Sequence, residues 1–257
     1  MSSRHGGFGT GPFRLAGDAV AHDARFGAAG RVRCETLVLL PLWTVATSTD
    51  TGNGTRMPDQ ANDKATVRSR FVNDRSTVGN HLLGEASQRI IGLLSSAPEL
   101  QRARTVCAYW PFGTEPDPRI LIRGLAGRGV RVLLPVLLTG GELDWAAFTG
   151  ESGLAAGRRG LSEPGGPRLG LDAVRGADAV LVPALAVSAT GQRLGRGGGS
   201  YDRALARLAS AAPRPWTCAL VYDAELDAAV PVEPHDRPVD AACAPGRLVR
   251  FTAFSAS

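Results

Sequence analysis

Lysine is almost missing from this chain: among 29 lysine and arginine side chains, Lys64 is the single lysine. A lone ammonium surviving so strong a bias suggests a task that a fork-shaped guanidinium performs poorly, although chance gives the same count. Sulfur is scarce as well. The cysteines Cys34, Cys107, Cys218 and Cys243 form no C-x-x-C pair, which argues against a disulfide framework or a zinc cluster and fits a reducing compartment. Cys107 and Cys218 fall in apolar runs, where a thiol acts as a small buried hydrophobe. His5, His22, His81 and His235 stand apart from one another and from the cysteines, so no metal-ligand cluster is expected. A membrane span is absent too, since the stretch from Leu37 to Ala46 is short and carries a proline. It resembles a signal-peptide core but begins far too late in the chain. There is also no Lys/Arg block. The net charge of +5 and pI near 9.5 are dispersed, which favours an enzyme with an anionic ligand over a dedicated nucleic-acid binder.

With 257 residues, 44% of them hydrophobic, and a mean hydropathy near zero, the chain can bury a full core. Residues 1–58 are rich in Gly, Thr, Ser and Ala without a sustained period, and the only methionines are Met1 and Met57. The expectation is a disordered or spurious N-terminal extension over 1–58, with the working protein starting at Met57, and one α/β domain over 59–257.

From Asp59 onward the pattern is orderly. Asp63 can cap a helix carrying Lys64, Val67, Arg68 and Phe71, and Leu82, Leu83, Ile90 and Leu94 predict a second helix over 80–95. Strands are predicted at 105–109, 130–134, 179–183 and 217–222, with a further one near 143–148. Between the first two, Asp117-Pro118 reads as an N-cap followed by proline at the first helical position. Strand alternating with helix predicts an open, mainly parallel sheet with helices on both faces, a Rossmann-like three-layer architecture.

The densest signal is Gly191-Gln-Arg-Leu-Gly-Arg-Gly-Gly-Gly-Ser-Tyr-Asp202. Backbone N–H groups without Cβ bulk can close around phosphate oxygens, and a following helix aims its positive end at the same point. Arg193 and Arg196 add charge, and Asp202 could hold a nucleotide's magnesium. The segment matches neither common phosphate fingerprint. A flexible loop or an Arg-Gly RNA-binding contact are the bland readings of such a cluster. Its flanks favour the phosphate reading, because an apolar run over 179–187 precedes it and a helical pattern over 201–211 follows.

Taken together, several segments from Lys64 to Pro245 resemble the 5-formyltetrahydrofolate cyclo-ligase (methenyltetrahydrofolate synthetase) family. The glycine segment is similar to the family's G-x-R-L-G-R/x-G-x-G-Y-Y-D signature. Lys64-x-x-x-Arg68, Tyr109 to Glu115, Leu134-Pro135, Glu163-Pro164 and Pro231 to Asp240 follow in family order. The resemblance implies a cytoplasmic enzyme, a monomer or weak homodimer, with no nucleic-acid or membrane partner. Its implied reaction uses ATP and Mg2+ to convert 5-formyltetrahydrofolate to 5,10-methenyltetrahydrofolate, ADP and phosphate. In that scheme the formyl oxygen takes the γ-phosphoryl group and N10 then attacks the activated carbon.

Site roles follow from the same resemblance. Lys64 and Arg68 correspond to N-terminal phosphate contacts. Arg193, Leu194, Gly195, Arg196, Gly197, Gly198, Gly199, Ser200 and Tyr201 form the nucleotide loop, with Lys64 and Arg196 catalytic and Arg196 also near the substrate. Trp110 and Glu115 would touch the folate, and Asp202 and Asp236 would hold magnesium. Each has a bland counterpart: a solvated helix-face charge for Lys64, a first-turn acid for Asp202, a loop acid for Glu115, a sheet-edge aromatic for Trp110. Gly198 stands where some members have lysine, Ser200 replaces the first tyrosine of the usual pair, and Val187-Ser188 replaces a common Phe-Asp. These departures bear on nucleotide affinity more than on fold. A non-catalytic nucleotide- or folate-binding homologue is the alternative reading.

Overall fold

The computed structural model describes residues 63–251. The extension expected over 1–58, with Cys34, His5 and His22, lies outside them. Two helices open the described chain, α1 (Lys64–Thr77) and α2 (Asn80–Ser95), followed by the short α3 (Pro98–Gln101) and β1 (Thr105–Cys107). Then come α4 (Arg119–Gly127), β2 (Arg131–Leu137), β3 (Leu143–Ala147), β4 (Leu154–Ala156) and β5 (Ser162–Pro164). The chain continues through β6 (Ala179–Pro183), β7 (Ala186–Val187), β8 (Arg193–Leu194), α5 (Ser200–Arg207), β9 (Trp216–Leu220), β10 (Ala241–Ala244) and β11 (Arg247–Arg250).

Seven strands form one sheet in the order β11-β10-β9-β6-β1-β2-β3. The five central strands are parallel, and β3 and β11 close the edges antiparallel. Both faces of the central strands are buried, and the pleat sorts their side chains. In β6, Ala179 and Leu181 face one core while Val180 and Val182 face the other. The first core is roofed by Ile90 and Leu94 of α2 and by Leu121, Ile122 and Leu125 of α4. The second is roofed by Ala204 and Leu205 of α5 and by Leu208 just beyond it. Cys107, Cys218 and Cys243 are buried free thiols, and burial pushes the Cys243 thiol up to about 12.

Differences from the sequence expectations have local causes. Asp63 takes the N-cap position of α1 but makes no side-chain cap bond. In α4 the cap shifts by one residue: Pro118 is the N-cap, and Asp117 Oδ1 accepts from the Arg119 N–H at 2.9 Å. The first strand stops at Cys107, and β2 instead runs on to Leu137. Pro135 is tolerated there because the parallel ladder to β1 has ended at Leu133, leaving no need for its missing donor on that side. The apolar run over 179–187 divides into β6 and β7. Consequently the glycine segment does not follow a strand of the seven-stranded sheet directly, but follows β7 and itself supplies β8, the two pairing as a small antiparallel hairpin.

Sheet order fixes where a ligand would go. From β1 the chain crosses to β2 on one side, while β6 lies on the other, which makes the carboxyl ends of β1 and β6 a topological switch point. Helix α1 packs over this end through Val67 and Phe71 against Leu185, Ala186 and Leu194.

Candidate functional site

A cavity of about 370 Å³ opens at the switch point. Its walls come from Tyr109 to Glu115 after β1, from Pro183 to Leu185 after β6, from the glycine loop 193–202, and from Lys64 and Arg68 on α1. Every sequence-predicted site residue lines it, Asp236 included. The helix that opens the described chain and the loop some 127 residues later meet directly, with Arg68 Nε donating to the Gly195 carbonyl at 3.0 Å.

The loop's glycines are required by space and by backbone. Gly197 has φ 96° and Gly199, the N-cap of α5, has φ 64°, conformations that side chains disfavour. A Cβ at Gly199 would stand 2.9 Å from Arg203 Nη1. Arg193 is buried and donates to Asp202 Oδ1 at 2.6 Å, so this pair braces the loop against the first turn of α5. Arg196 is different. Its side chain is 44% exposed, its guanidinium lies 5.4 Å from the Phe112 ring centroid, and Nη1 is 3.9 Å from Glu115 Oε1. It stands between the glycine loop and the Glu115 wall.

Glu115 has a buried carboxylate that accepts from the Phe112 N–H at 3.0 Å. Burial raises its pKa above the ordinary glutamate value, and the Phe112 hydrogen bond and Arg196 only partly offset that rise. Nearby, Trp110 stacks on Phe148 with ring centroids 5.7 Å apart. Burial also pushes the Tyr201 phenol well up, and its buried hydroxyl has no hydrogen-bond partner among the described residues.

At the opposite wall, Lys64 Nζ donates to Asp236 Oδ2 at 2.6 Å and lies 3.2 Å from Glu233 Oε2. Glu233, His235 and Asp236 bring their ligand atoms within 4.8 Å of one another, a candidate trio where the sequence led to the expectation of no metal-ligand cluster. Burial works against ionisation of Asp236, but hydrogen bonds from Lys64 and the Glu233 N–H outweigh it and hold the carboxyl below the usual range.

Sequence reasoning missed the anchor of α1. Arg75 is buried, with Nε 2.6 Å from Glu225 Oε1, and Nη2 donates to Glu225 Oε2 at 2.7 Å and to the Ala184 carbonyl at 2.6 Å. The signal was present, because residues 64, 68, 71 and 75 repeat at helical spacing and so share one face with Arg75. Phe112 and Arg159 also line the cavity unannounced, with no periodicity to mark them.

These features define a class: a doubly wound, three-layer α/β protein whose switch-point cavity joins a cationic glycine cradle to an apolar wall bearing the buried Glu115. The sequence matches the profile of the 5-formyltetrahydrofolate cyclo-ligase family over residues 60–245. The chain belongs to that family of ligases. A 5-formyltetrahydrofolate cyclo-ligase of Mycolicibacterium smegmatis is 38% identical over 178 residues, covering 67% of this chain and 89% of that protein. One from Escherichia coli K12 is 31% identical over 166 residues, covering 64% and 90%. Among solved structures, the 5,10-methenyltetrahydrofolate synthetase of Aquifex aeolicus shares the fold with a TM-score of 0.64 at 24% identity, over 76% of this chain and 95% of that one. The synthetase of Mycoplasma pneumoniae does so with a TM-score of 0.56 at 17% identity, over 71% and 99%.

Proposed function

We propose that this protein is the ATP- and magnesium-dependent enzyme that cyclises 5-formyltetrahydrofolate to 5,10-methenyltetrahydrofolate, releasing ADP and phosphate. The observation that carries the reading is the convergence of Lys64, Arg68 and the glycine loop on one wall of a cavity whose other wall holds Glu115 and Trp110. A polyanion and a flat heterocycle with N–H donors would each find a matching surface.

In this reading Lys64, Arg68 and the 193–201 loop hold the polyphosphate, through point charge, fork and backbone N–H groups respectively. Glu115 accepts hydrogen bonds from the amino and ring N–H groups of the pterin, and Trp110 packs against it. Arg196, between the two walls, neutralises charge on the phosphoryl group as it passes to the formyl oxygen. N10 then attacks the formyl carbon, loses its proton, and phosphate departs with the former formyl oxygen. Such a transfer needs positioning and charge neutralisation more than covalent help from the protein.

For magnesium, the donor chemistry fits. Asp236 and Asp202 both line the cavity and present hard carboxylate oxygens. These two residues would hold the ion, which supplies neutralisation of the polyphosphate. The test is direct: purified protein with 5-formyltetrahydrofolate, ATP and magnesium should develop the near-ultraviolet absorbance of the methenyl product with equimolar ADP. ATP-dependent thermal stabilisation without ADP release at saturating substrates would instead identify a binding homologue that does not turn over.

A further inference from the structure

Each glycine of the loop lies under a guanidinium. A Cβ would stand 2.7 Å from Arg193 Nη1 at Gly195, 3.5 Å from Arg68 Cζ at Gly197, 3.7 Å from Arg159 Nη1 at Gly198 and 2.9 Å from Arg203 Nη1 at Gly199. Three of these four arginines have acceptors. Arg193 donates to Asp202, Arg68 to the Gly195 carbonyl, and Arg203 to the carbonyls of Gly141 and Gly198. Arg159 makes no hydrogen bond or ion pair among the described residues, while its neighbour Arg158 turns away to Thr139. The unmatched guanidinium lines the cavity, as those of Arg68 and Arg193 do, but is exposed beside the loop.

Its position is built. Arg159 sits at the tip of the β4–β5 hairpin with φ 55°, a left-handed conformation that a non-glycine residue adopts at a cost. The hairpin is held shut by the Gly157 N–H on the Leu161 carbonyl at 2.7 Å. It is tied to β2 by Glu163 Oε1, which accepts from the Leu137 N–H at 3.0 Å. Gly157 leaves the room this requires, since a Cβ there would fall 2.2 Å from the Glu163 carboxyl carbon. The base of the hairpin is thus held by hydrogen bonds, and the exposed Arg159 stands at its tip.

We infer that Arg159 is a further nucleotide-binding residue, delivered by the β4–β5 hairpin across the cavity to pair with a phosphate oxygen held on the glycine loop at Gly198. The inference rests on the reading that this cavity takes a nucleotide, and it adds a contact from a segment outside both the loop and α1. Gly198 brings no charge of its own, and a guanidinium free of internal acceptors can approach a phosphate over it without first breaking another bond.

Isothermal titration of the full chain with adenylyl imidodiphosphate and magnesium, and separately with 5-formyltetrahydrofolate, tests this. Arg159→Asn removes the charge while keeping a residue that tolerates left-handed backbone. It should weaken the nucleotide analogue about 10-fold or more, as loss of a charge-assisted hydrogen bond does. Folate affinity and melting temperature should be unchanged, and Arg159→Lys should recover part of the loss. If the wild type binds the analogue and Arg159→Asn binds it equally well, the inference fails while the reading of the cavity stands. A loss confined to 5-formyltetrahydrofolate overturns it as well, making Arg159 a substrate contact. If the wild type binds no nucleotide, the reading itself falls and the inference with it.

Discussion

Lys64 and Asp236, 172 residues apart, meet with Nζ and Oδ2 at 2.6 Å, both side chains only 8% exposed. The single lysine of the chain is therefore paired with a carboxylate inside the cavity. A triphosphate entering the cavity has to compete with Asp236 for it. In the proposed reading that exchange frees Asp236 to join Asp202 at magnesium. An ammonium suits such an exchange, being a compact charge with rotatable donors, whereas a guanidinium would lock a forked pair with the carboxylate.

Replacing Lys64 by Met should lower the stability measured by urea unfolding by about 1–3 kcal/mol, because Asp236 is left buried without its cation. It should lower kcat/KM by about 100-fold, the scale of losing one preorganised charge-stabilising donor. Adding Asp236→Asn should restore most of the stability and none of the activity. The pH dependence has a definite sign. Asp236 titrates below its ordinary value when folded, so its contribution is present above the ordinary aspartate range and is lost as pH falls through the depressed value. The stability gap between wild type and Lys64→Met should close over that acid window.

Glu115 has the opposite sign. Burial raises its folded pKa, so it favours folding when protonated, and that contribution is lost as pH rises through the folded value. Glu115→Gln keeps an acceptor for the Phe112 N–H and removes the buried charge. The variant should melt higher than wild type at pH 7, with the difference shrinking below the ordinary glutamate range. Its kcat/KM for the folate should fall about 10–100-fold, the cost of losing charge-assisted bonds to the pterin. A variant gaining stability while losing activity separates a functional acid from a loop acid.

Much of this architecture was legible because it rests on strong periodicities. The Asn80–Ser95 helix and the Ala179–Pro183 strand fell where their apolar patterns put them. The glycine loop was readable from its residue types as suited to phosphate, whereas roles for Lys64, Arg68 and Asp236 were implied only by the family resemblance. Their meeting in one cavity depends on tertiary packing that no local pattern encodes. The β7–β8 hairpin was illegible for a physical reason: an apolar run over 179–187 reads alike whether it continues or bends at Pro183. The left-handed Arg159 was equally hidden, since left-handed positions are normally announced by glycine or asparagine.

The buried Arg75–Glu225 pair fastens α1, and with it Lys64 and Arg68, to the segment after β9. Arg75→Met should cost about 3–5 kcal/mol in urea unfolding, since Glu225 is left buried and unpaired. The double variant Arg75→Met with Glu225→Leu should recover most of that stability, as apolar replacements of buried pairs do. If α1 is positioned by this pair, the KM for ATP should remain raised in the stable double variant while the KM for folate stays near wild type.

Gly197 tests the loop without touching a charged group. Its φ of 96° lies beyond the left-handed basin that side chains tolerate, while an added Cβ would meet Arg68 only at the ordinary contact distance of 3.5 Å. Gly197→Ala should therefore cost about 1–3 kcal/mol of local strain. The chain relieves it by changing the backbone of the loop, which also carries the Gly195 carbonyl that Arg68 holds. A displaced loop misaligns backbone N–H groups and leaves the Glu115 wall intact. The expected result is a several-fold to 100-fold rise in KM for ATP, the range that misplacement of about 1 Å produces, with folate binding by titration unchanged. Equal loss of both ligands would mean that the loop supports the whole cavity and not its polyphosphate half alone.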